Sequence, residues 1–442
     1  MKQYWEKIAS YLLYLLIFLL PWQTRWIWQE GLLNGGTWEY GTFSIYAIDI
    51  LLVIILVVSF LAPKQSISST KRWWVLLFSF FSIGFVSIIW SSNNQLSLYS
   101  ALKLLEGMAM IWLVLRIKFQ WRTLGIAFIA SGVVQATLAI VQFFSQRIVA
   151  NKWLGLAAHD PAILGEFVVE TEGGRFLRAF GSFPHPNMLA GFLVICLIVL
   201  VGFLFTMYRD EKPRVLSIVL TVSSFVVIYY GLILTFSRSA WLIYALLILF
   251  MITLSISQRD HYRLRILGSM VFWIILVTGF SFILFPEIIQ TRTFSSGRLE
   301  AQSAATRTEY FIQSGEIISD NWYQGVGIGS YTQALYDRNT TRESWSYQPV
   351  HNIYALITAE IGIFGGFLFL VVIFEFFRRA FYNGWSMLRS NTWFLTFAVA
   401  FTALLLIGIF EHYLWSLSFG VLFFWLILGL WIRSNHEISV DN

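Results

Sequence analysis

Long apolar runs separated by short polar segments make up most of the chain. A helix that crosses a bilayer needs about 20 mostly apolar residues. We therefore expect an all-α polytopic membrane protein with about twelve transmembrane helices. The long segment between the ninth and tenth helices is expected to hold short amphipathic helices. The predicted spans are residues 8–27, 42–62, 73–91, 97–117, 123–145, 187–207, 215–235, 239–257, 266–286, 351–377, 391–410 and 413–432.

The composition supports this class of protein. The 442 residues are 57% hydrophobic and only 12% charged, whereas about a quarter of the residues in a soluble domain are charged. The fourth apolar run contains Lys103 and Glu106, which we expect to pair because they lie three residues apart on a helix. The single cysteine, Cys196, lies in an apolar run, so the sequence predicts neither an intramolecular disulfide nor a thiolate metal site.

The basic residues concentrate in the short loops on one predicted side of the membrane. Cytoplasmic loops carry an excess of Lys and Arg, so this bias predicts that both termini are cytoplasmic. It also explains the net charge of +6 without a nucleic-acid partner. Residues 146–186 and 287–350 then form two long extracytoplasmic loops of a single membrane domain, residues 1–442. Loops this long are usually functional, and we expect the second to form a lid over a site.

An arginine lies in the short outward turn TFSRSAW, residues 235–241. Two interpretations of Arg238 remain open. The side chain snorkels to the membrane interface, or its guanidinium binds a phosphate near the lipid headgroups.

The second long loop contains further arginines. Residues 302–319 have the pattern of an amphipathic helix on which Arg307 and Phe311 lie one turn apart. Arg298 lies upstream in a predicted turn. Each arginine is either a solvated surface residue or a phosphate ligand. The glycines of GVGIG, residues 325–329, predict a tight turn, because no strand precedes them in a dinucleotide-binding pattern.

A histidine stands at the outward end of the tenth apolar run, in PVHNIYALITAEIGIFGG. His351 is either a hydrated residue at a helix start or a general base that takes a proton from a hydroxyl. Asn352 is expected to cap the helix. Gly362 and Gly365 lie one turn apart and predict a face for close helix packing.

The first long loop ends in GSFPHPNMLAG, residues 181–191. Two prolines make the approach to the sixth helix rigid, and Asn187 is expected to cap that helix. His185 and Asn187 are also candidate substrate contacts. Neither long loop contains an Asp-x-Asp pair, so the sequence predicts no metal site, and no cofactor is expected.

Four motifs occur in a fixed order: GSFPHPNMLAGFL, TFSRSAWL, an arginine-led helix running into GVGIGSY, and His-Asn followed by nine residues and Gly-x-x-Gly. Over about residues 180–370 this arrangement resembles the O-antigen ligase and polymerase superfamily. The resemblance implies a glycosyltransferase of the bacterial inner membrane with an extracytoplasmic, periplasmic active site. It also implies a glycan donor on undecaprenyl pyrophosphate and an acceptor hydroxyl on a glycan or lipid, such as lipid A core oligosaccharide.

The resemblance also implies roles for single residues. His351 matches the motif histidine that activates the acceptor, in a reaction that is metal-independent and inverting. Arg238 and Arg307 match the two arginines of the site and would bind the pyrophosphate, with Arg298 as the rival of Arg307. Glu360, nine residues after His351 on the opposite helix face, is left unassigned.

Three alternative functions remain open. An O-antigen or exopolysaccharide polymerase and a protein O-oligosaccharyltransferase of the same superfamily use the same chemistry. A membrane transporter also has many apolar helices. Transporters usually place ionisable residues near the middle of the bilayer, and the apolar runs of this chain contain few of them.

Overall fold

A computed structural model describes residues 1–63, 71–210, 214–294, 298–382 and 384–436. Helices account for most of this part of the chain, because long apolar segments satisfy their own backbone polar groups when they are helical. The helices are α1 (Lys2–Leu19), α2 (Ala47–Leu61), α3 (Lys71–Val86), α4 (Asn94–Arg116), α5 (Trp121–Ser145), α6 (Pro186–Asp210), α7 (Val215–Leu234), α8 (Arg238–Ser257), α9 (His261–Leu284), α10 (Pro286–Phe294), α11 (Arg298–Asp320), α12 (Tyr331–Arg338), α13 (Ile353–Tyr382), α14 (Gly384–Ser390), α15 (Thr392–Ile407), α16 (Tyr413–Ser416) and α17 (Ser418–His436).

In the described ranges, six short strands form three antiparallel pairs, β1 with β4, β2 with β3 and β5 with β6. All of them lie in segments between the long helices. Their bounds are β1 (Arg25–Gln29), β2 (Leu32–Leu33), β3 (Gly36–Thr37), β4 (Phe43–Tyr46), β5 (Val168–Thr171) and β6 (Gly174–Leu177).

The predicted all-α polytopic fold class is confirmed. Within the described ranges, nine helices are long and apolar enough to cross a membrane, and α2 and α15 are shorter apolar helices. Together with α1, these helices correspond one to one with the twelve predicted spans. The segment between α9 and α13 contains α10, α11 and α12, as expected for the long loop.

The first two predicted spans have wrong boundaries. α1 ends at Leu19, and the sequence RWIWQ that follows forms β1, whose Arg25 lies opposite Tyr46 of β4. α2 consequently begins at Ala47 rather than residue 42. Aromatic and β-branched residues favour a strand, and a count of apolar residues does not separate a short strand from the end of a helix.

The centre of the bundle consists of α6 and α17, whose side chains are buried almost throughout. α9, in contrast, exposes large apolar side chains, among them Phe272, Ile275 and Phe280. A helix that is apolar on all sides is normally buried or faces lipid. The exposed apolar face of α9 therefore fits contact with lipid.

Two sets of buried charges in the bundle have clear partners. The predicted pair is confirmed, because Lys103 Nζ lies 3.3 Å from Glu106 Oε2, and Asp49 of α2 also binds this ammonium. Arg433 of α17 is fully buried and donates a hydrogen bond to the Val114 carbonyl at 2.7 Å. This arginine therefore supplies a hydrogen-bond donor to the last turn of α4, where the helix carbonyls have no intrahelical partner.

The two long loops contact each other beside the bundle. The predicted amphipathic helix is α11, which buries Tyr310 and Ile317 and exposes Phe311. Arg298 at its first position lies 3.2 Å from Glu170 of β5 in the other loop. Residues 295–297, which belong to the second loop, lie outside the described part of the chain.

Candidate functional site

A buried carboxylate organises the polar residues at the junction of the two long loops. Glu411 lies between α15 and α16, and only 6% of its side chain is exposed. Asn187 Nδ2 donates a hydrogen bond to Glu411 Oε1 at 2.6 Å. Arg307 Nη2 lies 3.4 Å from the same oxygen, and His351 Nδ1 lies 3.8 Å from Oε2. The structure thus brings His351 and Arg307 together on one carboxylate.

Backbone hydrogen bonds fix His351 beside Glu411. The amide of Ile353, the first residue of α13, donates to the Gly408 carbonyl at 2.8 Å. Asn352 caps α13 as expected, because its Oδ1 accepts from the Ala355 amide at 3.0 Å. The start of α13 is therefore joined to the end of α15, and the residues next to this junction are His351 and Glu411.

Glu411 carries a fixed negative charge. Burial alone would raise the pKa of its carboxyl, but the contact with His351 and the positive charge of Arg307 outweigh burial and hold this pKa well below its usual range. A buried anion persists only when partners replace its lost hydration. Its two oxygens therefore orient the imidazole of His351 and the guanidinium of Arg307.

Asn187 has a different role from the expected helix cap. α6 begins at Pro186, and the His185 Nδ1 accepts a hydrogen bond from the Asn187 amide at 2.9 Å. The Asn187 side chain accepts from Arg178 Nη2 at 2.6 Å and donates to Glu411. His185 thus accepts the hydrogen bond from the backbone amide at the start of α6. The Asn187 side chain is therefore free to bridge Arg178 and Glu411.

A second histidine follows Glu411 directly. The ring centroids of His412 and His351 are 4.9 Å apart at an interplanar angle of 63°. His412 Nδ1 lies 2.7 Å from Ser416 Oγ, and its Nε2 lies 3.5 Å from the Tyr40 hydroxyl. Burial lowers the pKa of His412 well below its usual value. The ring is therefore neutral and forms a wall of the site.

The other two arginines lie in different surroundings. Arg298 contacts Glu170 and has 70% of its side chain exposed. Arg238 is half-buried at the first position of α8. The turn before it is connected to the Glu411 cluster, because Arg178 donates through Nε to the Thr235 carbonyl at 2.7 Å as well as to Asn187.

The expected helix-packing face of Gly362 and Gly365 does not form. Gly362 has φ +72° and interrupts the helical geometry of α13, and a Cβ there would lie 2.2 Å from the Tyr323 carbonyl oxygen. A Cβ on Gly365 would meet Ile361 of the same helix. The close approach at Gly362 is thus made by the loop that follows α11. The expected turn at residues 325–329 is confirmed, and Gly325 in it also has a positive φ.

Glu411 and Arg178 are the functional candidates that sequence reasoning missed. Residues 411 and 412 are the whole connection between the eleventh and twelfth predicted spans. Burial of a glutamate and a histidine between two apolar helices is costly unless they have partners. This pair of residues was therefore the feature of the sequence that could have indicated a site. For Arg178, inside a polar loop, the sequence offers no comparable signal.

This arrangement can bind an anion beside a proton acceptor. Arg307 is 38% exposed, so one edge of its guanidinium faces away from Glu411 and is open to a ligand. His351 directs Nδ1 toward Glu411, which leaves Nε2 for a substrate hydroxyl. Among the described residues, no group of three or more His, Cys, Asp or Glu side chains is arranged to hold a metal ion.

A comparison with known protein families finds one match to part of the chain. Residues 222–370 match the model of a family described as O-antigen ligase. The matched segment runs from α7 into α13 and includes Arg238, Arg307 and His351. No curated protein matches the chain. Asn187 and Glu411 lie outside the matched segment, so the match gives no information on their roles.

Proposed function

We propose that this chain, a member of the O-antigen ligase superfamily, transfers a glycan from undecaprenyl pyrophosphate to an acceptor hydroxyl. The family match supports a membrane glycosyltransferase of the ligase or polymerase type. The observation that carries the finer proposal is the buried Glu411, which holds a base and a cation on its two oxygens.

The arginines serve the leaving group in this proposal. Cleavage of the bond between the anomeric carbon and the pyrophosphate oxygen leaves the electron pair, and hence negative charge, on the pyrophosphate. Arg307 remains charged at every physiological pH and has donors to spare for phosphate oxygens. Arg238 is the second proposed ligand, because its turn is joined through Arg178 to the Glu411 cluster.

His351 serves the acceptor. As the acceptor oxygen bonds to the anomeric carbon, its proton passes to His351 Nε2, and Glu411 stabilises the imidazolium that forms. Attack from the side opposite the pyrophosphate inverts the configuration at the anomeric carbon. The Nδ1–Oε2 separation of 3.8 Å is longer than a hydrogen bond, and such contacts often tighten when substrate binds.

We further propose that residues 287–350 form a lid, because α11 of this segment carries Arg307. The acceptor is a glycan or lipid-linked hydroxyl such as that of lipid A core oligosaccharide. The enzyme lies in the bacterial inner membrane, with both termini cytoplasmic and the site on the periplasmic face. Polymerisation or protein glycosylation would use the same residues.

The test is a reaction of the purified protein with an undecaprenyl-pyrophosphate-linked oligosaccharide and acceptor, followed by release of undecaprenyl pyrophosphate. We expect His351→Ala to abolish turnover and His261→Ala, an exposed histidine at the start of α9, to retain it. A single transfer product indicates a ligase and a ladder indicates a polymerase. Full turnover by His351→Ala, or solute uptake into proteoliposomes without glycan transfer, contradicts the proposal.

A further inference from the structure

Behind the His351–His412 pair lies a narrow polar crevice that the proposed reaction does not use. Ser416 and Tyr40, the two partners of His412, both line it, as does Pro349 beside His351. Neither Arg307 nor Glu411 lines it. His351 does not line it either, and the crevice is joined to the proposed base through His412, whose ring lies against His351.

Buried hydroxyls line this crevice without partners. In the described part of the chain, Tyr331 Oη, Thr332 Oγ1 and Ser418 Oγ have no hydrogen-bond partner, although these residues are only 1%, 2% and 8% exposed. Buried polar groups are nearly always satisfied, so each exception needs an explanation. Three unsatisfied hydroxyls around one crevice fit a ligand that supplies several hydrogen bonds.

Charged side chains and aromatic rings complete the lining. Glu360, 4% exposed, accepts a hydrogen bond from Trp415 Nε1 at 2.7 Å. The two cations of the lining, Arg25 and Lys103, are already paired with Glu39 and Asp49, so the crevice is a poor site for the pyrophosphate of the donor. A neutral sugar does fit, because its hydroxyls pair with hydroxyl and carboxylate groups and its C–H faces pack on aromatic rings.

We propose that this crevice binds a sugar ring of the acceptor and presents the acceptor's reacting hydroxyl to His351. The inference rests on the proposed function and assigns Glu360, Tyr331 and Thr332 as contacts of the acceptor sugar. The pyrophosphate end of the donor lies on the other side of His351, at Arg307. Inversion requires the acceptor oxygen and the leaving pyrophosphate to lie on opposite faces of the anomeric carbon, and separate sites for the acceptor sugar and the pyrophosphate fit this requirement.

Kinetics with soluble acceptors test the assignment. The probes are p-nitrophenyl glycosides of glucose, galactose and N-acetylglucosamine, with the lipid-linked donor held constant. We expect Tyr331→Phe and Thr332→Val each to raise the acceptor KM about threefold to tenfold, since each removes a hydrogen bond to the sugar, with donor KM and kcat unchanged. Tyr244→Phe removes an equally buried, unpartnered hydroxyl on α8 and should change neither KM. An unchanged acceptor KM, or a raised donor KM in its place, overturns the assignment.

A binding experiment separates this inference from the proposed function. Ser100, half-buried, lines the crevice, and the only native cysteine, Cys196, is fully buried. We expect Ser100→Cys to react with a small methanethiosulfonate reagent and the same glycosides to slow that reaction. Protection without any transfer activity would support the sugar site and reject the glycosyltransferase. Transfer activity without protection would reject the sugar site alone.

Discussion

Glu411 holds the imidazole of His351 and the guanidinium of Arg307 on its two carboxylate oxygens. Neither partner is a strong anchor alone, since the contacts measure 3.8 Å and 3.4 Å. The firm contact is the 2.6 Å hydrogen bond from Asn187, which Arg178 supports from behind. The carboxylate is thus fixed by α6, and charge positions the proposed base and the proposed pyrophosphate ligand.

We expect Glu411→Gln to lower turnover about 10²–10³-fold, the usual loss when one positioned polar group is removed from an active site. The amide oxygen can still accept from Asn187, so the loss reports the charge. The measurement is kcat for release of undecaprenyl pyrophosphate, with the melting temperature in detergent as the control for folding. Turnover within about twofold of wild type at an unchanged melting temperature contradicts the role of Glu411.

We expect substitution of Arg307 and of Arg298, the two arginines of the second long loop, to have very different effects on kcat/KM for the donor. Arg307→Ala is expected to lower kcat/KM for the donor about 10²–10³-fold. Arg298→Ala should lower it by less than about threefold, because an exposed ion pair such as Arg298–Glu170 contributes about 0–1 kcal/mol. Each variant is the matched control of the other. The opposite ranking would identify Arg298 as the pyrophosphate ligand.

At the scale of residues, the sequence points to a candidate site residue when a local pattern marks it, and misses one whose neighbours come from distant parts of the chain. His351 belongs to a spaced motif on one helix, and Arg307 lies on an amphipathic helix, so both have a local pattern. Glu411 and Asn187 acquire their roles only through a contact between residues 224 positions apart. No local pattern encodes such a contact.

At the scale of elements, the break in α13 determines how the second long loop attaches. The loop after α11 donates from Val326 to the Ala359 carbonyl and from Gly327 to the Glu360 carbonyl, at 2.9 and 2.8 Å. In return, the Ile363 amide donates to the Trp322 carbonyl at 2.9 Å. Carbonyls and amides that the break releases are thus satisfied by the loop.

We expect Gly362→Ala to lower the free energy of unfolding by about 3 kcal/mol or more. Its backbone, at φ +72° and ψ 178°, lies in a region essentially restricted to glycine, and the new Cβ would also clash with the Tyr323 carbonyl. Thermal unfolding in detergent measures the change. Gly279→Ala in α9, where nothing lies within 4 Å of the added Cβ, is the control and should be neutral or slightly stabilising. Equal stability of the two variants contradicts the interpretation of the break.

The elements themselves were largely predictable. Twelve apolar runs correspond to twelve helices, because length and hydropathy decide which segments can span a bilayer. The failure at RWIWQ arose because three consecutive apolar residues, Trp26, Ile27 and Trp28, are compatible with both a strand and the end of a helix. The break at Gly362 was missed because Gly-x-x-Gly is also the pattern of close helix packing.

At the scale of the whole molecule, burial of a neutral histidine makes the fold sensitive to acid. Burial lowers the pKa of His185 to about 3. The unfolded chain protonates this ring below about pH 6.5, whereas the folded protein does not until about pH 3. Acid therefore favours the unfolded state throughout this window, by at most about 1.4 kcal/mol per pH unit.

We expect the melting temperature of the purified protein to fall as the pH decreases from 6.5 toward 3. His185→Asn should reduce the slope, because an amide oxygen can replace Nδ1 as acceptor for the Asn187 amide but does not titrate. Melting curves at half-unit pH steps measure both proteins. Parallel curves for wild type and variant would show that His185 does not contribute to the acid sensitivity.

The hydrogen bonds between the loop and the break in α13 have a mechanical consequence. They pin the C-terminal end of α11 to the helix that carries His351, whereas the N-terminal end of α11 is held by an exposed ion pair to β5. If the donor is lipid-linked as proposed, we expect its admission to pivot α11 about residues 321–327. Arg307 would move with α11, whereas the imidazole of His351 would keep its position. The cation would thus arrive with the donor, and the base would already be in place.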